Sequence, residues 1–274
     1  MLRMVYCIKK RESVSREKFH AYWKSAEHKL MLDKIVRATQ PTTISDTLTV
    51  RIPAIDRVIR ARGYQQEYDA IVDFRWRDEA LYWKLLEDYR TLEFFEATQK
   101  HGQQWVDFEN TACFLTELPD EQSVTHLMSA TPGSLVPLNG VRIFHCVKRQ
   151  PTVSREAFAE YWKGREHQGL LKAISTSIEA SSYSSTLALN QLEPAHTAIQ
   201  MFGMQQAFDA VIDYRWDDPR RLQNALRGQS AIQFMNMIAG KRGQWIDFNG
   251  SNMMITEPPN VEASLQWMPK SWAT

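Results

Sequence analysis

Cysteine is scarce in this chain: three in 274 residues, at 7, 113 and 146, too few for a disulfide scaffold and without the close spacing of metal ligands. Charge of one sign is not in excess either. Lys plus Arg number 33 and Asp plus Glu 32, a formal net charge of +1, so no global field gathers nucleic acid or an anionic membrane. No apolar run approaches the roughly 20 residues of a membrane span, and the opening MLRMVYCIKK has no signal-peptide stretch before its charges. The motifs H-x-x-x-H, H-E-x-x-H, C-x-x-C and G-x-G-x-x-G are missing, as is a P-loop, so neither a metal nor a nucleotide cofactor is expected. These absences leave a soluble cytoplasmic protein whose partner is a small molecule, with no cofactor, no nucleic acid and no membrane.

What is present is a sequence written twice. VSREKFHAYWKSAEH at 14–28 returns as VSREAFAEYWKGREH at 153–167, with ten of fifteen positions identical. GYQQEYDAIVDFRWRD at 63–78 returns as GMQQAFDAVIDYRWDD at 203–218, and QWVDF at 104–108 as QWIDF at 244–248. Two copies are too few for a solenoid, so they are two homologous domains, 1–118 and 140–259. A Pro-, Ser- and Gly-containing linker at 119–139 joins them, and a tail follows at 260–274.

Both copies carry the same signals in the same order. An apolar strand is expected at 2–9 and 141–148. A helix then starts at Ser15 and at Ser154, each a good N-cap inside a hydrophobic staple, Val14 with Phe19 and Val153 with Phe158. Further strands are expected near 42–51 and 180–189, at 68–76 and 208–216, and near 111–117 and 251–257, with helices capped by Asp78 and Asp218 between the last two of each set. The order β-α-β-β-α-β describes an α+β, ferredoxin-like unit, one antiparallel sheet with helices on one face. Alternation along 68–76 gives an aromatic face, Tyr68, Ala70, Val72, Phe74 and Trp76, for the helices. The other face, Asp69, Ile71, Asp73 and Arg75, suits a second sheet of the same kind, and the two halves are expected to close into an intramolecular pseudo-dimeric barrel. A homodimer of such barrels remains open.

The pattern F-x-x-Y-W-x-x-x-x-H, followed by Tyr/Phe-Asp-Ala and an acid four residues after that Asp, resembles the EthD family of dimeric α+β barrel proteins, and the resemblance covers both halves. It implies a tandem member, with a barrel usually built from two chains here built from one. Family members include a methylmuconolactone methylisomerase and ring-forming or dehydrating enzymes of polyketide pathways. The sequence departs from the family pattern at Arg75 and Arg215 and has no Pro after the helix histidine.

His28 and His167 are the sharpest chemical signal. His28, Met31, Leu32 and Ile35 form a stripe out of register with Phe19, Tyr22 and Trp23, so a break near 24–28 is expected to turn both stripes inward. The resemblance implies a proton-transfer histidine at these positions; a core imidazole hydrogen-bonded for structure is the alternative. Tyr6 on the first strand is exchanged for His145 in the second copy, which places two imidazoles in one cavity. Tyr183 and His196 are likewise unmatched, their counterparts being Ile44 and Arg57, so the second half is the preferred working site. The catalytic candidates are therefore His167, His145 and His28. Candidate substrate contacts are Tyr183, His196, Tyr6, Tyr161, Tyr22, Gln205 and Trp216. Asp73 with Arg75 and Asp213 with Arg215 read either as ion pairs between the halves or as a substrate clamp, and Trp23 and Trp162 read as core. The expected activity is that of a cofactor-independent isomerase, lyase, dehydratase or cyclase acting on a small carbonyl, lactone or phenolic compound. A non-catalytic binding or scaffold protein, or a haem binder, is the alternative.

Overall fold

The computed structural model describes residues 2–76, 79–117, 141–189, 204, 207–227, 229–257 and 261–264. The first half contains β1 (Leu2–Ile8), α1 (Arg16–Trp23), α2 (Ala26–Thr39), β2 (Thr43–Val50), α3 (Pro53–Ala61), β3 (Ala70–Trp76), α4 (Glu79–Glu87), α5 (Tyr89–Gly102) and β4 (Ala112–Glu117). The second contains β5 (Val141–Arg149), α6 (Arg155–Lys163), α7 (Arg165–Ser177), β6 (Ser182–Leu187), β7 (Ala210–Trp216), α8 (Pro219–Arg227), α9 (Gln229–Arg242), β8 (Ile246–Thr256) and β9 (Val261–Ser264). No described helix is long and apolar enough to cross a membrane.

Ser15 and Ser154 cap α1 and α6 by accepting from the backbone N–H groups of Lys18 and Ala157. The first helix then breaks at Lys24–Ser25. Ser25 is a second N-cap, its hydroxyl accepting from the His28 N–H at 3.2 Å, so His28 lies in the first turn of α2. Gly164 sits at the equivalent break and offers no side-chain cap. Each break redirects the following helix, and in the first half this buries Phe19, Tyr22 and Trp23 together with His28, Leu32 and Val36.

The architecture is mixed α+β with an antiparallel sheet, its strands ordered β4-β1-β3-β2-β8-β5-β7-β6, and β9 also paired with β2. The halves join where Thr49 and Val50 of β2 pair with Thr256 and Ile255 of β8. At the two ends of that order Thr116 bridges Ala188, and the Leu189 N–H donates to the Leu115 carbonyl at 2.8 Å. Residues 261–264, left in the C-terminal tail by the sequence reading, form β9; its alternation, Val261 and Ala263 against Glu262 and Ser264, spans only four residues, too short to mark a strand.

Three apolar clusters result. Two lie between sheet and helices, one per half; the third, with Val5, Cys7, Ile71, Phe114, Phe144, Cys146, Val211 and Met254, lies on the opposite face of the strands. Ala70, Val72, Phe74 and Trp76 face the helices as their alternation suggests. Tyr68 does not: it precedes the start of β3, turns to the third cluster and meets Phe208 edge-on at 6.2 Å. Residues of α3, of the turn after it and of the segment before β7 reach across the halves. Ile59 and Tyr64 of the first half pack in the second half's core, and Met204 of the second half packs in the first. Gly63, at φ +87°, makes the turn that aims Tyr64; a Cβ there would stand 2.5 Å from Asn249 Oδ1.

Candidate active site

The same aromatic frame surrounds the helix histidine in both halves. His28 stacks on Trp23 at 4.1 Å, and Tyr22 stacks on Trp105 at 4.3 Å. His167 stacks on Trp162 at 4.2 Å, and Tyr161 on Trp245 at 4.4 Å. What the frames enclose differs. In the first half Asp46, from the middle of β2, accepts from the Trp23 indole N–H through Oδ1 at 2.7 Å and from His28 Nε2 through Oδ2 at 3.1 Å. His28 and Asp46 are buried, and the carboxylate satisfies the indole N–H and His28 Nε2, while His28 Nδ1 is left without a partner.

Asp46 pairs with Val72 across β2 and β3, and its counterpart across β6 and β7 is Ser185, which pairs with Ile212. Replacing the carboxylate by a hydroxyl leaves the second frame's donors without their acceptor. Both ring nitrogens of His167, the Trp162 indole nitrogen, His145 Nε2, the Tyr161 hydroxyl and the Ser185 hydroxyl are buried and make no hydrogen bond. His167 is 0 % exposed and His145 1 %. A second exchange adds charge: Arg242 ends α9 where Gly102 ends α5, each accepting through its carbonyl from the Trp three residues on. Arg242 is buried, its Nε and Nη2 are unpartnered, and among the described residues no carboxylate lies within ion-pair distance of it.

These neighbours set the protonation states. Burial, reinforced by the Arg242 guanidinium, pushes His167 down to about 3. Burial first, then Arg242 and His167, holds His145 well below the usual imidazole range. Both imidazoles are therefore neutral at pH 7. Burial raises the Tyr161 phenol; Arg242 opposes the rise but stands outside ordinary hydrogen-bond geometry from the hydroxyl. Tyr64 of the first half closes over the group, edge-on to His145 at 4.7 Å and to Phe248 at 5.3 Å, its own phenol pushed up to about 12 by burial.

The structure thus brings together His167, His145 and Tyr161 of the expected residues, with half-buried Tyr183 6.2 Å from Tyr214 in the same core. His28 lies in the other half, bonded to Asp46, and Tyr22 beside it reaches Met31 Sδ at 3.8 Å. Tyr6, where the second copy has His145, packs edge-on against Phe74 in the first core. Trp216 is fully buried and donates its indole N–H to the Ile178 carbonyl, as Trp76 does to Thr39, which gives it a packing role rather than an exposed ligand contact. His196 and Gln205 lie outside the described residues, as does Asp78. Asp46, Ser185, Arg242 and Tyr64 escaped the sequence reading.

The charged residues on the face of the strands away from the helices form one network. Arg3 holds Asp73 through two bonds of 2.9 Å, and its counterpart Arg142 holds Asp213. Arg142 also crosses the halves to Asp73 at 3.4 Å and to the Ser45 hydroxyl at 2.6 Å. Asp73 with Arg75 therefore belongs to ion pairing between halves, and the cations that complete it, Arg3 and Arg142, were not foreseen.

The sequence matches no protein-family model and no curated protein. Among solved structures it is similar to an anthrone oxidase-like protein at 11 % identity and TM-score 0.49, over 96 % of this chain and 92 % of that one. It is similar also to a dye-decolorizing peroxidase from Bacteroides thetaiotaomicron VPI-5482 at 9 % identity and TM-score 0.48, over 93 % and 92 %. A heme-binding protein from Thermus thermophilus follows at 10 % identity and TM-score 0.42, over 93 % and 90 %.

Proposed function

We propose that the second half is the working site of a cofactor-independent enzyme, an isomerase, lyase, dehydratase or cyclase, that moves a proton on a small carbonyl, lactone or phenolic compound. The observation that carries this reading is the contrast between His28, tied to Asp46, and His167, buried with both nitrogens unpartnered beside His145 and Arg242. His167, neutral, takes a proton from the carbon beside the substrate carbonyl. The C–H electrons move onto the carbonyl oxygen, and Arg242 and the Trp162 indole N–H stabilise the enolate. His145 or His167 returns the proton to another carbon or to a departing hydroxyl. The same reading makes the chain a tandem EthD-like protein with the domains 1–118 and 140–259, closed into a pseudo-dimeric barrel; the paired junctions Thr49–Thr256 and Thr116–Ala188 support it.

The test is exchange of the α-proton in D2O, followed by NMR over a panel of aryl ketones, unsaturated lactones and phenols. Wild type should exchange at least one compound, with His167→Ala slower by about 10²-fold or more and His28→Ala near wild type. His145→Tyr gives the second half the side chain its twin already carries. Exchange that survives both second-half substitutions would overturn the reading. Ligands that raise the melting temperature without any exchange would favour a binding protein, and a Soret band in the purified protein a haem binder.

A further inference from the structure

We propose that the second half binds a small carboxylate, with the ligand's carboxylate standing where the Asp46 side chain stands in the first half. This deepens the reading of His167 as the working site and shares its location, but it does not depend on turnover.

The first half shows what this aromatic frame accepts. Indole N–H and imidazole meet one planar carboxylate, an oxygen each, at 2.7 and 3.1 Å. The second half keeps the same donors, Trp162 and His167, on the same stacked rings, and both are unpartnered. It has lost the acceptor, because Ser185 is too short and its own hydroxyl is also buried without a bond. Two exchanges alter the charge in one direction. Asp46 to Ser185 removes a negative charge, Gly102 to Arg242 adds a positive one, and no described carboxylate balances either. A buried guanidinium with two unpartnered nitrogens and no counter-ion among the described residues is costly, and a ligand carboxylate supplies both the countercharge and the acceptors. The rings of Tyr161, Trp162, Tyr64 and Phe248 around these donors suit a flat apolar body behind the carboxylate.

The experiment is calorimetric titration of the full chain with benzoate and, as its neutral isostere, benzamide. Wild type should bind benzoate at least tenfold more tightly than benzamide. Arg242→Met should weaken benzoate at least tenfold and benzamide far less. Ser185→Asp should abolish benzoate binding and raise the melting temperature, since the chain then carries its own acceptor as the first half does. Equal affinity for the two probes, no benzoate binding at millimolar concentration, or unchanged benzoate affinity in either variant would overturn the proposal. Should Ser185→Asp fail to fold, Arg242→Met alone decides. Benzoate binding in a protein that exchanges no α-proton would leave this proposal standing and remove the catalytic one.

Discussion

The sulfur atoms of Cys7 and Cys146 lie 3.6 Å apart in the apolar cluster on the far side of the strands from the helices. The two residues are 139 positions apart, the spacing of the first repeat, so each meets its own counterpart. Burial comes first among the causes that raise the Cys7 thiol well above its ordinary range, and the Cys146 side chain adds to it. Thiolate is the reactive form. Iodoacetamide should therefore leave all three buried cysteines unmodified in the native protein and alkylate all three after unfolding, read by mass spectrometry.

Asp46 should carry stability, and Ser185 should not. Asp46→Ala strips the acceptor from the buried Trp23 indole and from His28, a loss of about 1–3 kcal/mol in urea unfolding. Ser185→Ala removes a hydroxyl that has no partner and should cost nothing or stabilise slightly.

Arg142 is bonded to acceptors of both halves, so its removal acts on their union. Arg142→Ala takes the nearest cation from Asp213, leaving it to the more distant Arg3 and Arg75, and removes the bond to Asp73 across the halves; a loss of about 3 kcal/mol is expected. Unfolding followed separately by tryptophan fluorescence and far-ultraviolet dichroism would show whether the halves then come apart first.

Acid should weaken the fold in two stages. His145 and His167 have folded pKa values below the unfolded imidazole value, so the unfolded chain binds more protons across that gap. Their cost is absent above about pH 6.5 and grows as pH falls toward about 3, at up to roughly 1.4 kcal/mol per pH unit for each group. Asp73 and Asp213 are lowered by the arginines around them despite the opposing effect of burial. Their stabilisation is present above about pH 3.9 and is lost as pH falls through their lower folded values. His167→Ala should flatten the stability profile between about pH 6.5 and 4 and leave the steeper limb below it intact.

The halves should not stand alone. Tyr64 covers His145 from the other half, and Met204 makes the reciprocal insertion. Residues 1–118 and 140–259 expressed separately should combine one to one in sedimentation, and two folded, non-associating halves would refute this.

Much of the fold was legible because its signals are local. The N-cap serines, the staples and the out-of-register histidine stripe each sit within one helical segment and led to two helices with a break between them. The residues that distinguish the two sites are not local. Asp46 lies inside β2, where a buried carboxylate contradicts the pattern of a strand, and its meaning comes only from Trp23 and His28 on the preceding helices. The exchange of Tyr6 for His145 shows when the copies are aligned; two residues past Ile44 and Tyr183 the same alignment sets Asp46 against Ser185. Arg242 hid for another reason, since a basic residue in the last turn of a helix is what the helix dipole favours. Tyr64 could not be placed at all, because nothing in its neighbourhood tells which half it will enter.

In an assembly of two identical chains, one codon dictates both pockets, and a change that helps one burdens the other. Here each pocket has its own letter. Asp46 can therefore anchor one side of the molecule while Ser185 and Arg242 leave the opposite side electrostatically unfinished. On the function proposed above, the two copies divide the labour: the half with Asp46 supplies rigidity, and the half with Ser185 is left to be reactive.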